Sequence, residues 1–179
     1  MVAPNTIENP SSSVGASGPW TLIDRQEIIV ATDTITFPGL DGDNDGIYFI
    51  VLEGIKGGAP LTMYSLQPNG SNANCMSCDL IIPPMVTAVY PADIILMSSG
   101  SPDGASFMVT ALMPARTGRL RFVEINGNQF GAGASFRNVG SGTWNDSVTN
   151  LASIVLKANM ANAFKAGTIA TLYKISQTP

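Results

Sequence analysis

Between Trp20 and Ser176 the chain divides into short apolar runs, rich in β-branched and aromatic residues, separated by turn-forming sequences. The runs recur roughly every 8–12 residues, a spacing too tight for helices to be inserted between parallel strands. Strands are expected over 20–30, 33–37, 47–54, 61–67, 79–82 or 85–90, 93–98, 106–113, 118–126, 133–139, 151–158 and 167–176. Arg119-Leu120-Arg121-Phe122 alternates with period two, as a half-buried strand does, and so do the run from Ser106 and the closing GTIATLYKIS. Turn chemistry sits between the runs at Gly57-Gly58, Pro68-Asn69-Gly70, Ser99–Gly104 and Asn126-Gly127. Asn-Gly pairs favour the positive φ angles of tight hairpins. Residues 151–165 lack Pro and Gly and are rich in Ala, but Ile154, Val155, Asn159 and Asn162 favour a strand followed by a loop. The pattern predicts an all-β fold, an antiparallel β-sandwich of jelly-roll type.

The first residues follow a different rule. Residues 1–19 carry Pro4, Pro10 and Pro19, the Ser11–Ser13 run and few apolar side chains, so they cannot bury enough surface to fold alone. They read as an extended N-terminal arm, either a tail or a segment that orders against a partner chain. Residues 20–179 form the sandwich domain. The opening residues lack the basic start and apolar core of an export signal. Apolar runs such as 47–52 fall far short of the ~20 residues that span a bilayer, so no membrane partner is expected.

Charged residues make up 12% of the chain, about half the usual quarter. A soluble protein with so few charges either carries a Ser/Thr/Asn-rich exterior or has much of its surface covered by neighbours. The net charge of −4 argues against a nucleic-acid partner, which requires clustered Lys and Arg.

Few residues invite a chemical role. Cys75 and Cys78 form a C-x-x-C, readable as a zinc half-site, a redox pair or a small disulfide. With no histidine and no other cysteine, four zinc ligands cannot be assembled. Pro83 and Pro84 disfavour the helix start that activates a redox thiol, which leaves two ordinary thiols at a loop or strand edge. Asp41, Asp43 and Asp45 in DGDNDG alternate like the first half of a calcium loop. The position where such a loop needs a bidentate Glu is Leu52, and the flanks are strand-like, which favours a self-bonded Asp/Asn/Gly turn. The absence of histidine also removes the usual general base, and Gly131-Ala132-Gly133-Ala134 lacks the Lys-Ser/Thr of a phosphate loop. No catalytic residue and no cofactor are implied. Trp20, and Trp144 in a turn with Asn145 and Asp146, are the candidate partner contacts; the competing reading packs each tryptophan as a lid over one end of the sandwich.

Three segments carry a family resemblance: TITFPGLDGDNDGIYFIVLEGIKG, MYSLQPNG and SGTWNDSVTNLASIVLKANMANAFKAGTIATLYKIS. They resemble structural proteins of tailed-bacteriophage virions, over roughly residues 18–176. The resemblance implies a non-enzymatic β-sandwich on the particle exterior, assembled in the host bacterial cytoplasm. Its members are capsid decoration (cement) proteins or tail-fibre modules, and their motifs mark turns and strands. The implied partners are major capsid or tail proteins together with copies of the chain itself, a trimer by analogy with threefold positions on capsids and fibres. The alternative it leaves is a tail-associated module that recognises a host-surface glycan or protein through Trp144 and the turns around it.

Overall fold

The computed structural model describes residues 19–57, 62–82, 86–90, 93–99, 103–131 and 134–175. Apart from Pro19 the expected arm lies outside the described residues, as do Gly58, Pro83, Pro84, residues 100–102 and the Ala132-Gly133 pair. The chain forms β1 (Trp20–Glu27), β2 (Thr34–Pro38), the one-turn helix α1 (Gly42–Asp45), β3 (Ile47–Ile55), β4 (Thr62–Pro68), β5 (Cys75–Ile82) and β6 (Val86–Tyr90). These are followed by β7 (Ile94–Ser99), β8 (Ser106–Pro114), β9 (Arg121–Gly131), β10 (Ala134–Trp144), β11 (Ser153–Ala158) and β12 (Ile169–Ile175).

The strands make two sheets. One has eight strands in the order β1-β12-β3-β8-β9-β10-β5-β6, the other four in the order β2-β11-β4-β7. Every pairing is antiparallel. The all-β sandwich expected from the spacing is the observed architecture, and its strand order does not by itself establish a jelly roll. β7 packs across the sandwich against β5, β8, β9 and β10.

The core lies between the sheets. Tyr48, Ile50 and Leu52 from β3 and Phe107, Val109 and Ala111 from β8 meet Tyr64, Leu66, Ile154 and Leu156 from the smaller sheet. Tyr64 stacks at a tilt on Phe107 and Phe164, with ring centroids 5.2 and 5.1 Å apart. Its hydroxyl donates to the Ala163 carbonyl, so a buried phenol is satisfied without water.

Two expected turns are strands instead. Asn126-Gly127 lies inside β9, with Gly127 paired to Val109 on one side and Asn138 on the other. The Ser-Gly-Thr-Trp sequence is the end of β10 and not a turn. At Gly142 the glycine marks a close approach. A Cβ on Gly142 would come 2.7 Å from Ile94 Cγ2 in the facing sheet. The Cys75–Cys78 segment likewise opens β5, and both alternatives, 79–82 and 85–90, contribute strands. Pro68-Asn69-Gly70 is the tight turn expected, with φ of 54° at Asn69 and 69° at Gly70. The Asn69 side chain accepts from the Ala152 and Ser153 N–H groups and donates to the Asn150 carbonyl, tying this turn, which leads from the smaller sheet into β5 of the larger, to the start of β11.

Candidate functional site

Alternation along each strand of the large sheet sends one set of side chains into the core and the other outward. The smaller sheet covers only the inner set. Cross-strand registers build rows across the outward face. One row runs Leu22, Tyr173, Phe49, Leu112, Glu124, Ser141; another runs Glu53, Met108, Asn128, Arg137. Trp20, Leu22, Met76, Met108, Phe122 and Phe130 all point to this side and are 36–58% exposed. Single exposed apolar side chains are ordinary, whereas several large ones on one sheet face are not.

The face is not flat. Trp20, Phe49, Thr110, Leu112, Glu124 and Asn126 line a hollow of about 270 Å³ near the centre of the sheet. The Trp20 and Phe49 rings lie 5.1 Å apart at 48°, so Trp20 forms a fixed wall over the edge strands. Trp20, one of the two tryptophans offered as a partner contact, is thus on the outward face and partly exposed. Phe122, Phe130, Met108, Glu53 and Arg137 were not singled out by sequence, although period two already assigned Phe122 and Arg121 to opposite faces.

Trp144 is a correction. It is 4% exposed, paired with Cys75 and Arg121, and faces the core, so it offers no ring to a sugar or a partner. Arg121, 1% exposed, places its guanidinium carbon 4.3 Å from the Trp144 ring centroid. The same guanidinium donates to the carbonyls of Arg116, Asp146 and Thr149 at 3.3, 2.7 and 2.7 Å. Burial pulls the Arg121 pKa down, opposed by the nearby Asp146 and Asp43 charges. The outcome is a staple holding the 145–150 segment against the sandwich end. Asn145 is exposed, while the Asp146 carboxylate accepts from the N–H groups of Val148 and Thr149, and the Thr149 side chain first, then these N–H groups, hold its pKa low.

The acidic turn is likewise structural. Asp41 caps α1, and its carboxylate accepts from Asn44 and from Asn150 Nδ2. Asp43 accepts from the Thr117 N–H at 2.7 Å. Asp45 accepts from Lys174 Nζ and, at 2.6 Å, from the buried Tyr48 hydroxyl. The three carboxylates are directed at three different sets of donors, and among the described residues no group of three or more His, Cys, Asp or Glu could hold a metal ion. Burial raises the Asp45 pKa, but the Lys174 and Tyr48 hydrogen bonds outweigh it and hold the carboxyl below its ordinary value.

Cys75 is buried and free, its thiol pushed up to about 11 mainly by burial. Cys78 is three residues along the same strand. Residues so placed are ~10 Å apart, beyond the reach of a disulfide. A thiol this reluctant to ionise, on a strand and not at a helix start, does not fit a redox pair. No known protein-family model matches the sequence, and comparison with curated proteins finds no match.

Proposed function

We propose that this chain is a non-enzymatic structural protein of the bacteriophage virion exterior, a capsid decoration protein that assembles with its neighbours on the coat, copies of this chain among them, through the outward face of the eight-stranded sheet. The observation that carries the binding role is the set of exposed apolar side chains on that face, from Trp20 to Phe130. The virion setting comes from the resemblance of the DGDNDG, PNG and closing-strand segments to tailed-phage structural proteins. The low charged fraction supports both, since a surface covered by neighbours needs few charges.

Adding the purified protein to particles that lack it tests the proposal. Saturable co-sedimentation is expected, weakened roughly tenfold or more by Phe122→Ser with Phe130→Ser, because buried aromatic anchors dominate interfaces. Absence of binding to any particle rejects the virion reading. The alternative is a tail-associated module recognising a host-surface glycan or protein. Trp144 cannot serve it, but the hollow beside Trp20 sets aromatic walls next to Glu124, Asn126 and Thr110, the mixture of apolar and polar groups used by small-ligand sites. Binding to host cells that is lost in Trp20→Ala, without binding to capsids, would select that reading.

A further inference from the structure

We infer that the outward face of the eight-stranded sheet is self-complementary and pairs with a second copy of this chain about a two-fold axis parallel to the strands. The inference rests on the reading of this face as the assembly surface. It does not rest on the identity of the particle.

The geometry follows from strand order. Four strands lie on each side of the line between β8 and β9. A two-fold axis in the plane of the contact and parallel to that line reverses the strand order of the second sheet. It therefore lays β8 over β9 and β3 over β10, while each cross-strand row stays over its own counterpart. Glu53 on β3 and Arg137 on β10 belong to one row, connected by the registers Glu53↔Met108, Met108↔Asn128 and Asn128↔Arg137. They stand at equal distance from the centre line, one on each side. Both are exposed. The rotation places Glu53 of each copy over Arg137 of the other, so two opposite-charge pairs form from one coincidence of register. An isologous contact requires this reciprocity, and the pairing of stacked sheets within about 30° of parallel preserves it.

The apolar side chains agree with the same operation. Phe122 stands one outward position along β9 from Glu124, and Glu124 is registered with Leu112, so the rotation sets Phe122 over β8 of the other copy at Pro114, the next outward position after Leu112. Leu112 and Phe49 line the central hollow, so an exposed ring of one copy comes to the rim of the other's concavity. The size is adequate. Central strands of nine residues, such as β3 and β8, are ~30 Å long, and four of them span ~19 Å. The resulting plan area, roughly 600 Å² per copy before side-chain relief, approaches the ~800 Å² per partner of a standard specific interface.

Charge reversal provides the test. Sedimentation equilibrium of the purified chain should give a particle of twice the 18.7 kDa chain mass. Glu53→Arg and Arg137→Glu, each alone, should weaken that dimer by roughly tenfold or more, since each sets two like-charged pairs in contact. An equimolar mixture of the two single variants should recover a heterodimer, because each then supplies the charge the other lost. Both positions are exposed, and unchanged thermal midpoints verify that the variants fold. A monomer at high concentration, a trimer indifferent to both substitutions, or single variants that weaken pairing without rescue on mixing would each overturn the inference. Loading onto particles is measured separately. A monomer that still loads rejects only the pairing, and a dimer that never loads rejects only the virion reading.

Discussion

On β9, Arg121 is 1% exposed and the next residue, Phe122, is 56% exposed. The charged side chain lies inside the sandwich and the aromatic one outside. Hydrophobicity alone predicts the reverse, so the phase of the strand has overridden the chemistry of the single residue. Val123 and Ile125 are both buried, and Arg121 is in phase with them. The chain accommodates it by supplying Trp144 beneath the guanidinium and three carbonyls around it. Phe122 on the opposite phase has no such cover. The contrast extends over the whole sheet: one face is closed by the four-stranded sheet and must be packed to the atom, whereas the other keeps large apolar side chains in water.

The largest effect expected from this contrast is at Arg121. Arg121→Ala should lower the unfolding free energy by about 3 kcal/mol or more, through the cavity under Trp144 and the three stranded carbonyls. For a chain of this size the thermal midpoint would fall by roughly 10 °C. A loss below about 1 kcal/mol would mean that the 145–150 segment is held by something other than the guanidinium. Next comes Gly142→Ala, whose Cβ would stand 2.7 Å from the fully buried Ile94. It should cost about 1–3 kcal/mol by overpacking, while Ser141→Ala on the outward phase should stay within about 0.5 kcal/mol. Equal costs for the two would break the distinction between the faces.

A pH titration reads the sheet end near β12. Because the folded Asp45 carboxyl titrates below its ordinary value of 3.8, its contribution is fully present above that pH. It is lost as the pH falls through the lower, folded value. Asp45→Asn should therefore reduce stability at neutral pH and flatten the acid limb of the unfolding curve, and an unchanged acid limb would remove the Lys174 and Tyr48 contacts from the account. The smallest effect on stability belongs to Phe122→Ser, within about 0.5 kcal/mol in the isolated chain, since no buried contact is lost. Its effect should appear in association instead, and a markedly destabilised monomer would show that Phe122 belongs to the folding unit after all.

The strands themselves were legible in the sequence. Short β-branched runs with turns between them anticipated nearly every element, including the strand-then-loop at 151–165, observed as β11 followed by a loop. The DGDNDG turn was legible in part: Asp41 bonds the backbone of its own turn at Asn44, as such residues do, whereas Asp43 and Asp45 are held by Thr117, Tyr48 and Lys174. The errors came from glycine. At Asn126-Gly127 and in Ser-Gly-Thr-Trp it was read as a turn former, yet Gly127 and Gly142 lie within strands, and the space Gly142 leaves is filled by Ile94 from another sheet. Nothing local separates those two uses of glycine, and the misreading is what placed Trp144 at the surface.

By itself, then, the sequence determined the period and the placement of most strands, because these depend on backbone sterics and on neighbours one or two residues away. It did not determine that 79–82 and 85–90 are both strands, nor that β9 and β10 run on to Gly131 and Trp144. It also determined that Arg121 and Phe122 point to opposite sides. Which side is the inside was decided only by tertiary structure. The covering sheet is drawn from residues 34–38, 62–68, 94–99 and 153–158, far apart along the chain, and its position over the large sheet is a property of long-range pairing. The row that joins Glu53 to Arg137 has the same origin, since three strand registers must combine before residues so distant in sequence share one line across a face.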